Sequence, residues 1–135
     1  MTRFIPFLCV LVLVGCSSSP NPQGDTQGPG KDAILQEVGE LVRAYSGQTG
    51  QGPKKAADFS KYEAGYPLGY AAVQSGEVVV VWGAKIAGEG ETGSAPANVV
   101  AYEKKVPAEG GLVLLQNGQV KQMTAAEFAA APKAK

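Results

Sequence analysis

The sequence predicts an α+β domain: an N-terminal helix packed on a small, mainly antiparallel sheet and followed by a short C-terminal helix. Three observations carry the prediction. Ile34, Leu35, Val38, Leu41, Val42 and Tyr45 recur at helical spacing and form one apolar stripe. The β-branched run Val78-Val79-Val80-Val81 is followed by further short apolar runs separated by turn residues, as in consecutive strands. Thr124-Ala125-Ala126-Glu127 then has the spacing of a capping box, in which threonine and glutamate satisfy each other's backbone donors and open a helix.

In chain order, the first helix is expected over residues 32–45, with Glu37, Glu40 and Arg43 on the side away from the stripe. Asp32 favours its N-terminus and Ser46-Gly47 is expected to end it. Residues 50–69 are rich in Gly, Lys and Pro and read as a loop with a short helix near 54–62. Phe59, Tyr62, Tyr66 and Leu68 in that stretch are expected to plug one end of the core. Residues 77–82 read as an inner strand, since a run of valines suits a strand covered on both faces. Residues 99–102 and 112–115 give the second and third strands. Asn117-Gly118 separates the third from residues 120–123 and is the preferred centre of a two-residue hairpin, both of whose positions take positive φ. A helix over 125–131 ends before Pro132. No internal repeat is present.

The 135 residues, 44% of them hydrophobic and 18% charged, suffice for one modest core and no second one. Twelve basic residues balance twelve acidic ones, so nothing in the composition would pull the domain onto nucleic acid, where a clustered basic surface supplies most of the affinity. The absence of histidine removes a Ser-His-Asp triad, a Cys-His dyad and any His-ligated metal site.

The N-terminus has its own grammar. Arg3 supplies a short positive region, residues 4–14 an apolar one, and Leu13-Val14-Gly15-Cys16 a small-residue cleavage site ending in cysteine. This apolar run is eleven residues long with Pro6 inside it, well short of the roughly 20 that span a bilayer as a helix. Leu13-Val14-Gly15-Cys16 resembles the lipobox of bacterial lipoproteins. That resemblance implies cleavage before Cys16, a diacylglyceryl thioether on its sulfur and acylation of its new amino group. At about 0.8 kcal/mol per buried methylene, two or three acyl chains would hold the chain on a membrane essentially permanently. The resemblance further implies export. Ser17, standing where aspartate would signal inner-membrane retention, favours the outer membrane of a cell with two. With Cys9 in the leader and Cys16 consumed by lipid, the mature domain is expected to have no disulfide.

Residues 17–30 contain nine Ser, Pro or Gly and no large apolar side chain, so they read as a tether spanning about 20 Å on average. The expected organisation is therefore a signal peptide over 1–15, a lipidated cysteine and tether over 16–30, and one domain over 31–135.

The C-terminal third carries a second resemblance. Val100-Ala101-Tyr102-Glu103-Lys104, Gly110-Gly111, Val113 to Val120 with its Asn117-Gly118 turn, and Thr124-Ala125-Ala126-Glu127-Phe128 resemble the C-terminal tail of pseudopilin-like proteins such as the major pseudopilin of type II secretion. About thirty residues are covered, and the motifs are largely those of a hairpin followed by a capped helix. The resemblance implies a pilin-head-like fold and a link to a secretion machine, and it transfers no catalytic residue. The chain departs from the family in placing Pro107 where members often have histidine, and a lipobox where they have a long hydrophobic assembly helix.

Among candidate sites, Gly88-Glu89-Gly90-Glu91-Thr92-Gly93 satisfies the Gly-x-Gly-x-x-Gly spacing. Its glutamates would repel a pyrophosphate, however, and Ser94-Ala95-Pro96-Ala97 cannot open the helix that should hold the phosphates, so it reads as an acidic loop. Glu89 and Glu91 are too few for calcium, which takes six to eight oxygens. Trp82 and Tyr102, with Tyr66 and Tyr70, are candidates for stacking on an envelope glycan, set against ordinary packing in or around the core. Lys54-Lys55 and Lys104-Lys105 read as solvated charge. The expectation is a non-enzymatic, lipid-anchored envelope protein that needs no cofactor or metal. It would meet the membrane through Cys16 and other proteins through its head. Glycan binding and service to a pseudopilin-type secretion system are the alternatives.

Overall fold

A computed structural model describes residues 30–87 and 97–135. The elements are α1 (Lys31–Thr49), a 3₁₀ helix (Ala56–Tyr62), α2 (Pro67–Ser75), β1 (Val78–Val80), β2 (Val99–Glu103), α3 (Val106–Glu109), β3 (Gly111–Leu115), β4 (Val120–Met123) and α4 (Ala125–Ala130). The four strands form one antiparallel sheet in the order β1-β2-β3-β4, which is also their order in the chain. The α+β class, the leading helix, the antiparallel sheet and the short last helix agree with the sequence.

The expected stripe buries Leu35, Val38, Leu41 and Val42 of α1 completely, in a cluster that also takes in Phe59, Val80, Val100 and Leu114. A second cluster lies on the opposite side of the sheet, where Val99, Val113, Leu115 and Met123 meet Val106 of α3 and Phe128 of α4. Tyr102 packs against Phe128 with the rings tilted by 55° and their centroids 4.6 Å apart. A bulge between Val99 and Ala101 turns both Val100 and Ala101 toward the α1 cluster while Val99 and Tyr102 serve the other. Both faces of the sheet are thus helix-covered, and no polar or charged residue is buried among the described residues.

Four details differ from the sequence reading, each for a physical reason. First, α1 runs through Ser46-Gly47 and ends at Gly50, which takes the left-handed conformation (φ 72°) and donates its N–H to Ser46 O. Second, β1 is an edge strand of three residues, not an inner strand: Val78 and Val80 are buried in the α1 cluster and Val79 is half-buried, and burial of a face says nothing about lateral neighbours.

Third, the stretch read as loop contains α2. Pro67 sits at the helix start, where its missing N–H costs nothing, and Gly69 lies against α1, so the residues that looked like breakers are a start signal and a contact point. Glu37 of α1 belongs to that contact, its Oε2 accepting the Gly69 N–H at 2.8 Å near the start of α2. Fourth, the β3–β4 hairpin has a three-residue loop. Gly118 has φ 83° while Asn117 is not at positive φ, and the bonds Gly118 N–H to Leu115 O and Leu115 N–H to Gln119 O, both 2.9 Å, enclose Gln116 to Gly118. This is the type I turn with a left-handed glycine at a bulge, in place of the mirror-image two-residue turn. Asn117 Oδ1 accepts the Gln119 N–H at 3.0 Å and stabilises the loop.

The capping box forms as expected, with Thr124 Oγ1 accepting from Glu127 N–H at 3.2 Å and Glu127 Oε2 accepting from Thr124 N–H at 2.8 Å. After α4 the chain returns to the sheet. Val99 N–H donates to Pro132 O at 2.8 Å, Ala134 N–H donates to Val99 O at 2.9 Å, and Ala134 is buried.

Candidate functional site

The lipobox residues Leu13, Val14, Gly15 and Cys16, the tether up to residue 29, and the acidic loop with Glu89 and Glu91 all lie outside the described residues. No helix among the described residues is long and apolar enough to cross a membrane.

The aromatic residues proposed for stacking do not converge. Trp82 follows β1 and leans on Phe59 (centroids 6.2 Å), which Tyr45 meets edge-on from α1 (6.5 Å). Tyr102 belongs to the opposite cluster, with one ring face taken by Phe128. Tyr66 and Tyr70 are half-buried against the α1 cluster, and the Tyr70 hydroxyl is bonded by Gln74. Trp82 alone keeps a large part of its surface, 43%, open to solvent. The sheet separates it from Tyr102, so the pair cannot form one platform.

Among the described residues two titratable groups are shifted, Glu127 in the first turn of α4 and Lys133 just beyond its end. Glu127 is held below the usual carboxylate range by the Thr124 backbone N–H, and then by the Thr124 hydroxyl. Burial lowers Lys133, whose Nζ lies 3.9 Å from the Phe128 ring centroid and donates to Phe128 O and Ala131 O at 2.7 and 2.8 Å. Each closes one end of the helix, a structural duty. Among the described residues no group of three or more His, Cys, Asp or Glu side chains is placed to hold a metal ion.

Among the described residues a cleft of about 280 Å³ lies at the N-terminal end of α1, beside the start of β1 and the end of β2. Ile34, Ala72 and Val78 give it an apolar floor. Lys31, Glu77, Glu103, Lys104 and Lys105 form its rim. Backbone pairing fixes the wall, since Lys104 N–H donates to Glu77 O at 2.8 Å. Glu103 bridges two segments, with Oε1 3.3 Å from Lys31 Nζ and Oε2 accepting the Leu112 N–H at 2.8 Å. No spacing rule relates positions 31, 77 and 103–105. In the sequence the three groups stand apart; the antiparallel return of β2 along β1 brings Glu77 beside residues 103–105, and the start of α1 adds Lys31 through its ion pair with Glu103. A shallower hollow of about 490 Å³ beside Glu37, Glu40 and Tyr66 is polar, with Glu37 already bonded to Gly69 and Glu40 to Arg43.

Compared with known proteins, the chain matches no family model, no curated protein and no solved structure.

Proposed function

We propose that the protein is a lipid-anchored component of a bacterial cell envelope, acting through contacts of its small α+β head and not through catalysis. The observation that carries this reading is Leu13-Val14-Gly15-Cys16 placed directly after a short apolar segment with Arg3 before it. Supporting it are the Ser/Pro/Gly composition of residues 17–30 and the start of α1 at Lys31, directly after that stretch. The chemistry of the head points the same way: its two shifted side chains cap a helix, and the sequence has no histidine to serve as a general base. Growing cells with an alkyne fatty acid and coupling the protein to a dye tests the anchor. The expected result is label on the wild-type chain and none on Cys16→Ala. Equal labelling of the two, or a mature protein whose mass includes residues upstream of Cys16, would refute it.

A second reading, service to a pseudopilin-type secretion machine, draws on the resemblance of the tail. It is favoured by the succession of β3, the Asn117-Gly118 turn, β4 and the capped α4. Site-specific photocrosslinking from exposed positions of β4 would return a pilin-like subunit; adducts with other proteins alone would set this reading aside.

A further inference from the structure

The cleft at the N-terminal end of α1 has an uneven charge balance. Glu103 is engaged at both oxygens, by Lys31 and by the Leu112 N–H, so its charge is offset within the wall. That leaves Lys104 and Lys105 facing the single carboxylate of Glu77, an excess of one positive charge on the rim. Neither lysine forms an ion pair among the described residues, and both are exposed. Beneath them the floor is hydrocarbon, from Ile34 on α1, Ala72 on α2 and Val78 on β1. A mostly apolar cavity with a few charges at its mouth is the general form of a small-molecule site, and 280 Å³ lies near the roughly 300 Å³ lower bound for such sites.

We propose that this cleft binds a small amphipathic anion, a carboxylate or phosphate monoester on a short aliphatic body. The anionic group meets the ammonium groups of Lys104 and Lys105, and the hydrocarbon lies on Ile34, Ala72 and Val78. Three features of the ligand follow. Its charge is negative, because two lysines with no ion-pair partner among the described residues attract an anion and repel a cation. Its body is a handful of carbons, because the cavity is small. Each methylene that reaches the floor tightens binding about four-fold. The site stands on the described residues alone, so it holds whether or not Cys16 carries lipid.

The test uses the full chain in nanodiscs of phosphatidylcholine, with the methyl groups of Ile34, Ala72 and Val78 followed by NMR. Titration with sodium hexanoate is expected to shift all three saturably. Butanoate should bind more than ten-fold more weakly, having two methylenes fewer. Hexylammonium, with the same hydrocarbon and the opposite charge, should leave them unmoved. In the double variant Lys104→Gln with Lys105→Gln, hexanoate affinity should fall about ten-fold, while Lys54→Gln with Lys55→Gln, at another part of the surface, should leave it unchanged. Equal shifts from hexanoate and hexylammonium, shifts confined to residues outside the cleft, or full affinity in the Lys104 and Lys105 variant would each overturn the proposal. The comparison of the two ligands on the wild-type chain keeps the test decisive even where the variant does not fold.

Discussion

Replacing Gly69 with alanine should destabilise the domain, although the same replacement in an ordinary helix does the opposite. A Cβ at Gly69 would sit 2.8 Å from Glu37 Cβ and 2.8 Å from Val38 N. Val38 is backbone of a fully buried helix position and cannot swing aside, so α2 must lift away from α1. Overpacking of this kind costs about 1–3 kcal/mol. Lifting α2 also stretches the 2.8 Å bond from Gly69 N–H to the Glu37 carboxylate, a charge-assisted contact worth about 1.5–3 kcal/mol when intact. Alanine's better helix propensity returns about 1 kcal/mol, leaving a net loss of about 2 kcal/mol. Gly47 is the internal control, being helical and exposed with no atom within 4 Å of a Cβ built there, so Gly47→Ala should gain about 1 kcal/mol. For a domain of this size, 1 kcal/mol moves Tm by roughly 4–8 °C. Thermal melts followed by far-UV circular dichroism should therefore place Gly69→Ala roughly 8–16 °C below the parent and Gly47→Ala roughly 4–8 °C above it. A Gly69→Ala protein that melts at or above the parent would refute the close crossing of α1 and α2.

Glu127, with its pKa depressed in the folded chain, adds stability that is complete above the carboxylate's unfolded pKa and lost as pH falls through the folded one. The protection factor of the Phe128 amide, taken against its intrinsic exchange rate at each pH, should therefore fall in acid, and Glu127→Gln should remove that dependence; an unchanged acid profile in this variant would contradict the capping role. Gly118→Ala should cost about 1–2 kcal/mol because φ is 83° there, and Asn117→Gly about 0.5–1 kcal/mol by loosening a residue that is not left-handed. Urea titration decides it, and a neutral or stabilising Asn117→Gly would restore the two-residue turn. Deleting residues 132–135 removes both backbone partners of Val99 and the lysine that caps α4, so the Val99 amide should lose its protection from exchange. Unchanged protection would mean that the tail is not bound there.

Periodicity and local turn chemistry carried most of the fold. The α1 stripe, the strands after Ala97 and the Thr124–Glu127 box depend on neighbours within a few positions, and such signals survive in a single sequence. What escaped was set by distant parts of the chain. Gly69 looks like a breaker until α1 lies across it, and the valines of β1 look central until the sheet shows no strand beyond them. The same limit applied to the sites. Trp82 and Tyr102 are both aromatic and both near strands, but a bulge and a sheet put them on opposite sides. Lys31, Glu77 and Lys104 carry no shared signature and nevertheless border one cleft.

The agreement between strand order and chain order bears on how the molecule is made. Each strand can zip onto the one made just before it, with no crossover to thread, so the sheet itself places little demand on the search that dominates folding time in more tangled topologies. The slower step falls to the long-range partners, α1 laid across the sheet and the last residues returning to Val99, whose correct seating must wait until the whole chain is present.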